Sequence, residues 1–250
     1  MDASGLLVDL DGTLYVGGGA ISGAVEAVER LKDSGISLRF VTNTTRKPRR
    51  EVHEGLVRLG FGIEEREIIT PARTAVSLIG SRSCRPLVDE SLLEDLIDVR
   101  MSEDWPEVVL VGDLGEGFSY GRLNAAFRCL MDGAELIALQ KNRFWRRSDG
   151  LALDAGPFVA ALEYASGKAA TVVGKPEESF FRAALAELGL EPGKVAMVGD
   201  DAESDVAGAR KMGIKGIQVK TGKYRSGDES NADLAVDSFA DLAEALQSKS

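Results

Sequence analysis

Short apolar runs alternate with amphipathic stretches of helical length along most of this chain. Residues 6–10 read as a strand buried on both faces, and 24–31 as an amphipathic helix closed by Gly35. A strand at 38–41 and a helix from about 48 to 59, stopped by Gly60, continue the pattern. The last third repeats it. Strands are expected at 171–173, 195–198 and 217–219, with helices at 179–188, 206–212 and 239–247. Such alternation predicts an α/β fold, a Rossmann-like doubly wound parallel sheet with helices on both faces.

The middle of the chain carries its own set, with strands at 87–88, 108–111 and 136–139 and helices near 123–131 and 158–166. It reads as a second, smaller α/β unit inserted into the first. The expected division is residues 1–79 and 171–250 for the core and 80–170 for the insertion.

Composition narrows the function. The 250 residues are 44% hydrophobic and 28% charged, the balance of a globular protein. A net charge of −10 argues against nucleic acid or an anionic membrane surface as partner. No apolar stretch reaches membrane-span length, and no signal-peptide pattern opens the chain. Cys84 and Cys129 have neither metal-site spacing nor disulfide density, which points to a reducing, cytoplasmic setting. His53 is the only histidine, which argues against His-dependent nucleophilic triads and most zinc sites.

The chemistry gathers at strand ends, where open α/β sheets bind ligands. Asp9 and Asp11 close the first strand, and in an extended strand residues two apart project together. Thr42 and Asn43 follow the second strand, Lys175 follows 171–174, and Asp200, Asp201 and Asp205 follow 195–199. Two carboxylates facing one spot repel unless a cation or a proton lies between them. Asp9 could attack phosphorus as a carboxylate nucleophile, with Mg²⁺ held by Asp9 and Asp200 to offset the charge. Lys175 and the Thr42 hydroxyl can meet phosphoryl oxygens, and Asp11 is then available to protonate a leaving oxygen and activate water.

Four ordered segments resemble the motifs of the haloacid dehalogenase superfamily: Asp9-Leu10-Asp11-Gly12-Thr13, Val41-Thr42-Asn43, Gly174-Lys175-Pro176 and Gly199 through Asp205. An insertion between the second and third resembles the subgroup with a large α/β cap. The stretches 118–120, 160–165 and 220–224 also match members of that subgroup. The resemblance implies a Mg²⁺-dependent phosphatase of small phosphorylated substrates. Asp9 would be the nucleophile and Asp11 the acid/base. Thr42, with Asn43 beside it, and Lys175 would bind phosphate. Asp9, Asp200 and the Asp11 carbonyl would bind metal, Asp205 would orient Lys175 or metal waters, and Asp201 would support the metal shell. A homodimer is likewise implied only by resemblance.

Some residues admit two readings. Asp201 could be a helix cap, and Thr13 either supports a turn or bonds to Asp9 or Asp11. The run Arg46-Lys47-Pro48-Arg49-Arg50 reads as a solvated helix start, and Gly17-Gly18-Gly19 as a flexible loop beside Asp11. Where nucleotide-type relatives carry Asn-Pro-Asp, this chain has Lys141-Asn142-Arg143-Phe144-Trp145. Arg143, Trp145 and Arg146 either grip the leaving group or decorate a hairpin closed by Ser148-Asp149-Gly150. Alternatives to a phosphatase are a phosphomutase or phosphotransferase with the same intermediate, a phospho-accepting receiver module, or a dehalogenase.

Overall fold

The computed structural model describes residues 3–147 and 150–247, and the side chains of residues 145–147 and 247 lie outside that description. The chain divides into two units, one of Met1–Thr42, Arg49–Ile69 and Lys175–Ser250, the other of Asn43–Pro48 and Thr70–Gly174.

The first unit opens with β1 (Gly5–Asp9), a small hairpin β2 (Tyr15–Val16) and β3 (Gly19–Ala20), helix α1 (Ala24–Asp33) and β4 (Ser37–Val41). Helix α2 (Arg49–Arg58) and β5 (Ile68–Ile69) follow. The second unit contributes α3 (Pro71–Ile79), β6 (Cys84–Leu87), β7 (Val108–Val111), α4 (Tyr120–Met131) and β8 (Glu135–Ala138). It ends with a ribbon of β9 (Phe144–Arg147) and β10 (Gly150–Leu153), then α5 (Ala155–Ser166) and β11 (Thr171–Val172). The chain returns to the first unit with α6 (Glu178–Leu188), β12 (Val195–Gly199), α7 (Gly208–Lys211), β13 (Lys215–Val219), β14 (Leu234–Val236) and α8 (Phe239–Gln247).

The first unit is built on a six-stranded parallel sheet ordered β14-β13-β12-β1-β4-β5. Strand periodicity sorts its side chains to two cores. Leu6, Val8, Ala196 and Val198 pack with α1 and α8 on one face, whereas Leu7, Val195 and Met197 pack with Phe180, Phe181 and Ala184 of α6 on the other. Each fully buried large apolar side chain contributes roughly 1.5–3 kcal/mol, so burial on both faces fixes these strands. The second unit repeats the design on a four-stranded parallel sheet ordered β11-β8-β7-β6. Val108 and Leu110 face α3 on one side of it, and Val109 and Val111 face α4 and α5 on the other.

Local signals place most helix ends. The Thr70 hydroxyl accepts the Arg73 N–H at 3.3 Å ahead of Pro71, and Gly167 and Gly189 close α5 and α6 in the left-handed conformation.

Two expectations are corrected. The strand at Thr171 pairs with β8 and belongs to the second sheet, not to the first. The helix expected at 206–212 starts earlier as a π-helical turn, Ala202–Ala207, in which the Val206 N–H reaches the Asp201 carbonyl five residues back. The expected glycine loop is the β2–β3 turn, with Gly17 and Gly18 both at positive φ, as a type I′ turn requires. The basic run 46–50 is the expected helix start, with Arg46 and Arg50 exposed and Arg46, Arg49 and Arg50 paired with Asp113, Glu65 and Glu54. The Trp145 and Arg146 side chains and the Ser148-Asp149 tip lie outside the described residues. No helix among the described residues is long and apolar enough to cross a membrane.

Candidate active site

The carboxyl ends of β1, β4 and β12 in the first unit bring Asp9, Thr42 and Asp200 into buried positions. Lys175, just after the second unit's last strand, and Asp205, in the π-helical turn, are buried as well. Lys175 Nζ lies 2.5 Å from Asp9 Oδ1 and 2.6 Å from Asp205 Oδ1. The other Asp205 oxygen accepts the Asp201 N–H at 3.2 Å, and the Asp205 side chain fills the space that a Cβ on Gly199 would occupy. Thr13, fully buried, donates to Asp9 Oδ2 at 3.4 Å.

Charge and burial oppose each other here. Burial raises the Asp9 carboxyl above its usual range while the Lys175 ammonium pulls it back. Burial likewise pushes Asp205 up to about 7 against the same ammonium. For Lys175 burial works against the charge, but Asp205 and Asp9 outweigh it and hold the pKa above the ordinary lysine range. Asp200 is pushed up to about 6, chiefly by burial, against one hydrogen bond from the Lys223 backbone N–H at 2.6 Å. Among the described residues no cationic side chain lies within ion-pair distance of Asp200.

The oxygens of Asp9, Asp200 and Asp205 lie within 4.8 Å of one another. Three buried carboxylates against one buried ammonium leave an excess of negative charge, a donor set suited to a hard divalent cation. Both oxygens of Asp205 and both of Asp9 already accept hydrogen bonds, whereas Asp200 accepts one, at Oδ2.

Asp11 differs from Asp9. Strand β1 stops at Asp9, so the alternation argument does not extend to Asp11, which is exposed. A link between the two comes from Tyr15, whose hydroxyl is pushed up to about 12 by burial and then by the charges of Asp11 and Asp9. Asp201 caps the π-helical turn, its Oδ1 accepting the N–H groups of Glu203 and Ser204 at 3.1 and 3.0 Å. Burial raises the Asp201 pKa, but the Ser204 N–H and the Lys223 ammonium outweigh it and the net shift is downward. Asn43 and Arg143 belong to the second unit, half-buried and exposed respectively.

Two contributors lie outside the expected set. One is Tyr15. The other is residues 221–223: the Thr221 hydroxyl donates to the Gly12 carbonyl, Gly222 packs on the Asp200 carboxylate, and Lys223 reaches both Asp200 and Asp201. The place of 220–224 at a strand end was readable from the apolar run before it, but its contact with Asp200 was not.

Within the second unit the strand ends carry a separate polar cluster. Buried Asp113 pairs with Arg46 at 2.9 Å and accepts the Gly115 N–H at 2.8 Å, and buried Asp154 accepts from Gln140 and from the Ala155 N–H.

Residues 6–98 match the family described as haloacid dehalogenase-like hydrolase, and 172–245 match a related HAD-hydrolase-like profile. The chain is 49% identical to haloacid dehalogenase-like hydrolase domain-containing protein 2 of Homo sapiens, over 90% of this chain and 86% of that protein. It is 45% identical to phospholysine phosphohistidine inorganic pyrophosphate phosphatase of Rattus norvegicus, over 97% of this chain and 92% of the relative. Among solved structures, p-nitrophenyl phosphatase from Archaeoglobus fulgidus superimposes with a TM-score of 0.90 at 27% identity, covering 98% of this chain and 100% of that one. The chain belongs to the haloacid dehalogenase-like hydrolases.

Proposed function

We propose that this protein is a Mg²⁺-dependent phosphatase of small phosphorylated substrates that works through an aspartyl-phosphate on Asp9. The observation that carries the reading is the buried Asp9–Lys175–Asp205 array beside Asp200. Lys175 offsets the repulsion between the Asp9 carboxylate and an incoming phosphoryl group, and Asp205 holds that ammonium in place. Thr42 and Asn43 donate to phosphoryl oxygens. Asp9 and Asp200, with the Asp11 backbone carbonyl, would hold the Mg²⁺. When bound, the ion supplies charge neutralisation at the phosphoryl oxygens.

An Asp9 oxygen bonds to phosphorus as the bond to the leaving oxygen breaks, and the Asp11 carboxyl gives its proton to that oxygen. Asp11, now ionised, takes a proton from the water that attacks the aspartyl-phosphate. Inorganic phosphate leaves and Asp9 is restored. Asp11 is exposed, where both leaving group and water can reach it. Asp201 supports this site from its helix cap, and Thr13 orients Asp9. The named relatives include phosphatases of p-nitrophenyl phosphate and of phosphoamino acids and pyrophosphate, which makes esters, phosphoramidates and pyrophosphate the substrates to test. Free Cys84 and Cys129 fit a cytoplasmic setting.

The reading is tested by phosphate release from such a panel with Mg²⁺ and with excess chelator. Continuous release only with Mg²⁺ supports it. Transfer to an added alcohol without net release would favour a phosphotransferase instead.

A further inference from the structure

We infer that residues 221–223 form a clamp that fixes the Asp200 carboxylate and leaves one of its oxygens to ligate a divalent cation. The inference rests on the reading of Asp200 as a metal ligand. Asp200 Oδ2 accepts the Lys223 backbone N–H at 2.6 Å. A Cβ on Gly12 or on Gly222 would overlap that same carboxylate, so the two glycines grip it between bare Cα atoms. Gly222 adopts φ +57°, and a Cβ there would also lie 2.5 Å from Gly12 Cα. The Thr221 hydroxyl ties the loop to the Gly12 carbonyl, and Gln218 Nε2 donates to the Asp200 carbonyl at 2.8 Å.

The backbone and one carboxylate oxygen of Asp200 are therefore both held before any ligand arrives. Lys223 adds a second function. Its ammonium, 3.2 Å from Asp201 Oδ2, engages the neighbouring acid, while Asp201 Oδ1 is spent on the helix cap. Asp200 is thereby distinguished from its neighbour Asp201 in the acidic stretch 200–205. Groups that orient a metal ligand without touching the metal are worth about 10–100-fold in metal affinity.

Mn²⁺ titration of the full chain, followed by electron paramagnetic resonance of the free ion, tests the clamp without reference to activity. Gly222→Ala is expected to weaken Mn²⁺ binding by about 10–100-fold with an unchanged circular dichroism spectrum. Gly227→Ala is the control, because Gly227 also has positive φ, at +104°, but a Cβ there meets nothing within 4 Å. It should bind Mn²⁺ as the unaltered protein does. In an Asp200→Ala background, Gly222→Ala should have no further effect on binding. Equal binding by Gly222→Ala and the unaltered protein would overturn the clamp, as would equal weakening in Gly222→Ala and Gly227→Ala. Should Gly222→Ala not fold, Thr221→Val decides the matter: several-fold weaker Mn²⁺ binding supports the clamp and unchanged binding overturns it. No Mn²⁺ binding by the unaltered protein would instead remove the metal reading on which the clamp rests.

Discussion

Lys175 and Asp9 stand 166 positions apart in sequence, yet the lysine ammonium meets the aspartate carboxylate at 2.5 Å in a place almost closed to water. Because Asp205 holds the same ammonium, one positive charge serves two carboxylates, and the pair is asymmetric toward mutation.

Removing the lysine should be severe. Lys175→Met leaves buried Asp9 and Asp205 uncompensated and is expected to cost about 3–5 kcal/mol at neutral pH. Adding Asp205→Asn to it should recover part of that loss. Urea unfolding of the single and double variants measures both, and equal stability of the two would mean that the charges do not couple.

Removing the nucleophile should spare the fold. Asp9→Asn keeps the shape and leaves Lys175 paired with Asp205, so the midpoint of thermal unfolding should hold or rise slightly. Turnover should fall roughly a thousandfold or more. A variant that unfolds would assign Asp9 a structural role.

Stability of the metal-free protein should rise as pH falls from about 7 to about 4. Asp205 and Asp200 are raised to about 7 and about 6, so in that window the folded state binds more protons than the unfolded state, whose carboxyls titrate near 3.8. The contribution is fully present near pH 4 and lost as pH passes through 6 and 7. Mg²⁺ binds the ionised carboxylates and should stabilise most above pH 7. A thermal midpoint that falls steadily from pH 7 to pH 5 in chelator would contradict these shifts.

Asp201 separates a cap from a charge. Asp201→Ala should cost about 1 kcal/mol by unpairing the Glu203 and Ser204 N–H groups. Asp201→Asn keeps an acceptor oxygen and should lose much less. Equal losses of stability in both variants would transfer the effect from the cap to the Lys223 ion pair.

The central strands of both sheets and the strand-end positions of Asp9, Thr42 and Asp200 were legible in the sequence, because two-sided burial writes continuous apolar runs and ligands collect where those runs stop, whereas the short edge strands β5 and β14 were not. Three further features were not. Asp11 lies past the end of its strand, where a period of two no longer applies. The sheet that Thr171 joins depends on pairing with β8 more than 30 residues earlier, which local pattern does not carry. The contact of Gly222 with Asp200 exists only because β13 lies next to β12 in the sheet.

Arg143 is exposed at the start of the β9–β10 ribbon. If it contacts the leaving group, Arg143→Ala should raise KM for bulky phosphate esters and leave a minimal ester nearly unchanged. Equal losses on both would assign it to folding, and no loss on either would leave it a solvated residue of the ribbon.

The central claim is a phosphoryl group carried by Asp9. In Asp11→Asn, attack on substrate can still occur with a good leaving group, whereas hydrolysis of the intermediate lacks its base. Rapid acid quench with a labelled aryl phosphate and Mg²⁺, followed by peptide mapping, locates the label. Stoichiometric label on the Asp9 peptide, absent from Asp9→Asn, is expected. Label on any other residue, or steady phosphate release by Asp9→Asn at the unaltered rate, would contradict it.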